Sequence, residues 1–325
     1  MPIRKHDSLG SNPNIKDIYI GTTSMAKVYH GEQLVFSKGN PTKLYVNFAG
    51  IVPDINLYIQ QPVANSVKVN WGDGSTPTTS SSTGNIIMSH TYPDYTEYII
   101  KISVSGGATF NLGHGYSNKL NMVGGNTTSH GASKAMRKIE LGDGFGYGDI
   151  IPAYSFSYFK SLDSEIDIPN GIQFIESHFL ASCEKFNSKV TIPNSVVSIE
   201  NYFMDSCKAF NKPLTIPSSV QHIGYTQRER TLSGGVLGVY PFFMQNVNSF
   251  AGPLTVETTA LVETYNNDGT ISYTPTYILI TDSKTAPLYS PGVTLLGAGA
   301  STWKAHYPDT TSSVGSRFRK LILGT

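Results

Sequence analysis

The sequence predicts a mainly β chain of three parts: a small N-terminal β element, a β-sandwich, and a solenoid of short repeats with helical turns and a C-terminal cap. Three observations predict it. Only 14% of the 325 residues are charged, against about 25% in an ordinary soluble domain, and amphipathic surface helices draw heavily on Lys and Glu. Short runs alternating apolar and polar residues recur between residues 41 and 110. Pro169, Pro193 and Pro217 stand 24 residues apart with matching apolar neighbours, the mark of stacked repeats.

Composition also excludes classes of function. With 24 Lys+Arg against 23 Asp+Glu the formal net charge is +1, so the whole chain has no field to steer it onto nucleic acid or anionic lipid. No apolar run approaches 18 residues, and no membrane insertion is expected. Met1 to Gly10 is polar without an apolar stretch, so no secretory signal is expected. Two cysteines cannot make a disulfide scaffold.

Residues 1–40 carry a doubled strand-turn unit, Ile18-Tyr-Ile-Gly21 and Val28-Tyr-His-Gly31, closed by Leu34-Val-Phe36. Each is too short to fold alone. The pair, read as Ile15-Lys-Asp-Ile-Tyr-Ile-Gly21 and Lys27-Val-Tyr-His-Gly-Glu-Gln-Leu-Val35, is similar to segments of bacteriophage tail and baseplate proteins. The resemblance implies a docking or oligomerisation element.

Residues 41–112 read as a β-sandwich with strands at Leu44–Phe48, Ile55–Ile59, Val67–Trp71, Ile86–Met88 and Tyr98–Val104. Within it Trp71-Gly72-Asp73-Gly74-Ser75, followed by His90-Thr-Tyr92 and Tyr98, resembles the PKD family of immunoglobulin-like domains. Residues 113–134, rich in Gly, Asn and Ser, are expected to form an exposed linker.

Residues 135–325 carry the repeat. Ile166-Asp-Ile-Pro169, Val190-Thr-Ile-Pro193 and Leu214-Thr-Ile-Pro217 share one register, as do Phe179/Phe203, Cys183/Cys207 and Phe186/Phe210, with Leu162 one period before Phe186. Phe243, Val247 and Phe250 resume that register after 16 extra residues, 225–240. Ile139-Glu-Leu-Gly-Asp143 looks like a degenerate first rung. Each unit offers a short strand, a Pro turn, a second apolar segment, and a stretch such as Phe203–Phe210 whose apolar spacing suits one to two helical turns. Stacking would bury what no unit can bury alone. The run Ile192-Pro-Asn-Ser-Val196, Ile199, Phe203, Cys207, Phe210 resembles BspA-like leucine-rich repeats. Strands are expected at 277–281, 294–296 and 317–323, a hairpin insertion at 263–277 turning at Asn267-Asp-Gly269, and a short helix at 300–306 that places Trp303 over the open end.

No residue pattern announces catalysis. His6, His30, His90, His114, His130, His178, His222 and His306 form no HxH, HExxH or Cys/His set, and no cofactor is expected. Asp73 is the sharpest acidic candidate, a calcium ligand in the functional reading and an Asx-type turn between Gly72 and Gly74 in the structural one. Cys183 and Cys207 would lie about 5 Å apart on neighbouring rungs, close enough for a disulfide, yet buried free thiols pack as small hydrophobes. Gly142 to Gly148 lacks the spacing of a phosphate cradle. Asp163, Glu165 and Asp167 alternate along a strand as its solvated face. The interaction candidates are the insertions, with Tyr225, Arg228, Arg230, Tyr240, Tyr265, Tyr273 and Tyr277, residue types that dominate interface hot spots.

Together the resemblances imply a non-enzymatic phage virion protein of the tail, baseplate or a tail appendage, assembled in the host cytoplasm as a homo-oligomer. Its implied partners are other tail proteins and a host-surface polysaccharide or protein. A bacterial cell-surface adhesin is the second reading, and a carbohydrate-active enzyme with paired carboxylates the third.

Overall fold

A computed structural model describes residues 39–105, 107–115, 121–124, 131–223, 244, 247, 249–250 and 254–257, with the backbone of further strands within 18–37 and 263–323. The described chain is mainly β, with one five-residue helix.

Near the N-terminus, β1 (Ile18–Ile20) pairs antiparallel with β2 (Thr23–Met25), and β3 (Lys27–His30) with β4 (Gln33–Ser37). The strands expected at Ile18–Ile20, Val28–His30 and Leu34–Phe36 are present, and Thr23–Met25 adds a strand not expected from the sequence.

Strict alternation builds the next region. β5 (Thr42–Asn47), β6 (Asp54–Gln61), β7 (Val67–Asn70), β8 (Gly84–Thr91) and β9 (Glu97–Val104) each bury every second side chain, as a strand with one core-facing side must. With β10 (Asn111–Leu112) and β11 (Met136–Glu140) they form two antiparallel sheets, ordered β10-β6-β8 and β11-β5-β9-β7. Their inward residues, among them Leu44, Phe48, Leu57, Ile59, Val69, Trp71 and Ile100, join one core.

Two expectations are corrected here. The first rung expected at Ile139–Asp143 does not begin the parallel stack: Ile139 and Glu140 end β11, which pairs antiparallel with β5, Ile139 opposite Leu44, and so closes a sheet. Residues 113–134 are not an exposed linker where they are described. Asn121, Met122 and Val123 are fully buried, and helix α1 (Gly131–Ala135) buries Ala132, Ser133 and Ala135. The polarity that suggested a linker is spent internally: Asn121 Nδ2 donates to the Ser157 carbonyl at 2.7 Å and the Ser133 hydroxyl at 3.0 Å.

Beyond residue 145 the pairing turns parallel. β12 (Ile150–Ile151), β14 (Phe174–Ile175), β16 (Ser198–Ile199) and β18 (His222–Ile223) stack in that order, each residue opposite the one 24 positions on. β13 (Ile166–Asp167) pairs with β15 (Val190–Thr191) in the same register. β17 (Leu214–Ile216) pairs with β19 (Leu254–Val256), a step of 40 that spans the predicted insertion, and β19 with β23 (Leu295–Leu296).

The stretch expected to be helical is a chain of turns. Tyr154, His178 and Tyr202, and four residues later Tyr158, Ser182 and Ser206, all sit at φ between 56° and 64°. A left-handed residue every fourth position ends each turn before a helix can propagate. The same apolar spacing therefore serves two successive turns, whose amides reach the next rung instead: Leu180 N donates to Phe203 O at 2.8 Å and His178 N to Asn201 O at 2.9 Å.

Toward the C-terminus, β20 (Glu263–Tyr265) and β21 (Ile271–Tyr273) form the predicted hairpin, its turn lying outside the described residues. β22 (Tyr277–Leu279) and β24 (Trp303–His306) flank β25 (Lys320–Leu323), both antiparallel to it. Trp303 thus stands in a strand and not in the short helix expected there. Pairing with a strand farther along the chain, Trp303 opposite Leu323, overrides a local helix preference.

Candidate functional site

The Trp71-Gly-Asp-Gly74 turn follows β7. Gly72 has φ of 89°, and a Cβ there would lie 2.5 Å from the Ile99 carbonyl oxygen, so only glycine fits. Trp71 is buried and its indole N–H donates to Thr78 Oγ1 at 2.8 Å. Its ring stacks on His90 at 4.8 Å, and Tyr92 meets His90 edge-on at 4.6 Å while its hydroxyl donates to the Trp71 carbonyl at 3.1 Å.

Asp73 closes this cluster, its side chain only 8% exposed. Oδ1 accepts the Ser75 amide at 2.9 Å and hydroxyl at 2.6 Å, and Oδ2 meets His90 Nε2 at 2.7 Å. Burial alone would raise its pKa, but the Ser75 and His90 hydrogen bonds outweigh that and hold it at about 2. Both oxygens are engaged within the turn and by His90, the geometry of an Asx-type turn. Among the described residues no group of three or more His, Cys, Asp or Glu side chains is placed to hold a metal ion.

In the rungs, side chains are matched to their counterparts 24 residues away, or 40 across the predicted insertion. Phe179 stacks on Phe203 at 5.2 Å, Phe186 on Phe210 at 6.0 Å, and Phe210 on Phe250 at 5.7 Å. Cys183 and Cys207 are free and fully buried. Their thiols donate to the carbonyls of Phe156 and Leu180, each at 3.1 Å. Burial pushes the Cys183 thiol up to about 12 and Cys207 in the same direction, which leaves little of the reactive thiolate. Val247 is buried in the next position of that file.

Polar side chains run in ladders too. Glu200 Oε2 accepts the Ser177 amide at 3.1 Å and Glu176 Oε2 the Ala153 amide at 3.0 Å, both carboxylates being buried. Asp163 Oδ1 accepts the Asn187 amide and Ser188 hydroxyl, and Asn187 Oδ1 the Asn211 amide. Asp163, Glu165 and Asp167 are exposed along their segment, as expected of a solvated face. On the flank, Tyr154, His178 and Tyr202 stack at 4.2 and 4.6 Å. The glutamate and aromatic ladders do not stand out in the sequence, although 154, 178 and 202, and likewise 176 and 200, keep the 24-residue spacing.

Gly142–Gly148 is a turn, as expected. Asp143 N donates to Asn40 O at 2.8 Å and Asp143 Oδ2 accepts the Asn40 amide at 2.9 Å. An open groove of about 440 Å³ beside it is lined by Asp143, Asp167, Asn170, Thr191 and Pro193. Of the insertion residues, Tyr225, Arg228, Arg230 and Tyr240 lie outside the described residues. Tyr265, Tyr273 and Tyr277 lie on strands whose backbone alone is described.

This arrangement of short parallel strands, turn segments and Phe/Cys files has a counterpart among known families. Residues 149–227 match the BspA type leucine rich repeat region, a description of six copies. The chain thus contains BspA-type leucine-rich repeats, and the match stops within the predicted insertion. No curated protein and no solved structure matches the chain.

Proposed function

We propose that the protein is a non-enzymatic recognition and scaffold protein of a phage tail, baseplate or tail appendage. In this reading residues 42–112 and β11 make a PKD-like, immunoglobulin-like sandwich, the rungs from 150 onward make a solenoid, and the insertions at 225–240 and 263–277 meet a host-surface ligand or a neighbouring virion subunit. The observation that carries it is the use of the repeat's functional groups. Its buried thiols and carboxylates are directed at backbone groups of the neighbouring rung, the chemistry of a scaffold and not of a reaction centre. The paired hairpins β1–β4, too small to fold alone, support a docking element completed by other subunits in a homo-oligomer.

The repeat match favours a second reading, a bacterial cell-surface adhesin, because it bears on the repeats and not on the virion. Immunogold microscopy with an antibody raised against residues 149–227 separates the two. Gold on virion tails is expected; gold confined to intact cell envelopes overturns the virion setting and favours the adhesin. Deleting 225–240 is expected to cut attachment while leaving assembly intact, and unchanged attachment would remove the recognition role from that loop.

A further inference from the structure

The outer face of the sheet β11-β5-β9-β7 is a lattice of lysines unlike the rest of this nearly neutral chain. The residues of these strands that point away from the core are Lys43, Tyr45 and Asn47 on β5, Glu97, Ile99, Lys101 and Ser103 on β9, Lys68 and Asn70 on β7, and Lys138 and Glu140 on β11. Glu97, at the far end of β9, accepts the Asn47 side-chain amide at 2.7 Å and lies two rows from Lys101. Register sets them in rows. Glu140, Lys43, Lys101 and Asn70 lie side by side across all four strands, and Lys138, Tyr45 and Ile99 form the adjacent row.

Their charges are unevenly matched. Glu140 takes Lys43 at 2.8 Å and Lys138 at 2.7 Å, and it also accepts the Tyr45 hydroxyl at 3.0 Å. That leaves Lys101 and Lys68 without a carboxylate in reach among the described residues. Lys101 stands directly opposite Lys43, a cross-strand like-charge pair that destabilises a sheet. Lys68, opposite Ser103, lies diagonally from it. Both lysines are exposed, and Ile99 is 40% exposed between the rows.

We propose that this face binds an anionic polysaccharide, a polymer of sugars carrying carboxylate groups, with Lys68 and Lys101 as its principal contacts. Excess positive charge on an exposed sheet face calls for a negative partner, and the Ser103 hydroxyl and the Nδ2 of Asn70, whose Oδ1 already accepts the Gly72 amide, suit a hydroxyl-rich chain. A single-stranded nucleic acid needs open aromatic platforms, but the one aromatic ring on these rows, Tyr45, has the Lys138 ammonium 5.0 Å from its centroid. A membrane surface needs a band of bulky apolar side chains, and the rows offer Ile99 alone. The site lies on the paired sheets and is independent of the repeat insertions.

The test uses the full chain with polygalacturonate as probe and neutral dextran of similar length as control. Polygalacturonate is expected to bind with an affinity that falls as salt rises, and K68Q/K101Q to weaken it about tenfold. In the absence of polymer, K101Q is expected to leave Tm unchanged or raise it by a degree or two at low salt, because the like-charge pair is gone. Equal binding by wild type and K68Q/K101Q would overturn the proposal, as would equal binding of dextran. Tighter binding to phosphatidylglycerol vesicles or single-stranded DNA than to polygalacturonate would overturn the choice of partner. Because the insertions play no part, deleting 225–240 should leave polygalacturonate binding unchanged, which separates this site from the recognition role proposed above.

Discussion

The paired sheets and the rung stack bury comparable aromatic cores by opposite means. In the sheets each large side chain has its own partners: Trp71 is held by Thr78, His90 and Tyr92, none of them repeated elsewhere. In the rungs one solution is copied, Phe on Phe and Cys beside Cys, with strands pairing parallel at a fixed 24-residue offset. The first arrangement concentrates specificity in one cluster. The second spreads it over equivalent layers, so each layer depends on its neighbours.

Truncating one anchor in each region sharpens that contrast most. Trp71→Ala and Phe203→Ala are each expected to cost about 3–5 kcal/mol in urea unfolding. Because both residues belong to one continuous core, a single transition should move in both variants. Two separated transitions, only one of them shifted per variant, would break the continuity.

Acid should discriminate the regions next. Asp73 has a folded pKa of about 2 against about 3.9 when unfolded. Its contribution is therefore fully present above about pH 5 and is lost progressively as pH falls through about 2. Glu140, held at about 2 by Lys138 and Lys43 despite some burial, acts in the same direction and window. Tryptophan fluorescence near Trp71 should change in that window in wild type, and the change should shrink in Asp73→Asn, which starts less stable. An identical acid profile in the two proteins would remove Asp73 as its source.

Smaller effects are expected within the rungs. Cys207→Val copies the residue that follows in the same file, Val247, and should cost less than about 1.5 kcal/mol. Native protein at pH 8 should leave both thiols unlabelled by a disulfide reagent, and rapid labelling would contradict their burial. Smallest of all, Ser182→Gly should stabilise by about 1 kcal/mol, since serine at φ of 61° carries the cost of a left-handed backbone. A loss of stability would mean that its hydroxyl matters more than its backbone.

Sequence made the two regions unequally readable. The strands of the sheets follow from alternation, and the rung register from Pro169, Pro193 and Pro217, because both signals are local or periodic. The spacing of Phe203, Cys207 and Phe210 predicts helical turns over Phe203–Phe210, but it fits a chain of separate turns equally well. What decides is the left-handed backbone at Tyr202 and Ser206, stabilised by amides of one rung reaching carbonyls of the next. Trp303 and Met136–Glu140 failed for a related reason: each pairs with a strand that local sequence does not reveal. The lysine face was invisible too, since Lys43, Lys68, Lys101 and Lys138 are scattered along the chain until register aligns them.

The junction between the regions has a mechanical consequence. Ser155 donates to the Leu112 carbonyl, Asn111 to the Tyr147 carbonyl, and the Met122 amide to the Ser155 carbonyl. Rings continue from Phe110 through Phe145, Phe156 and Phe179 to Phe203 without a gap above 6.0 Å. A hinge needs a place where packing can part, and among the described residues this junction is bonded and packed on both sides. A pull on the rungs next to it is therefore expected to load the sheets rather than open a joint between them.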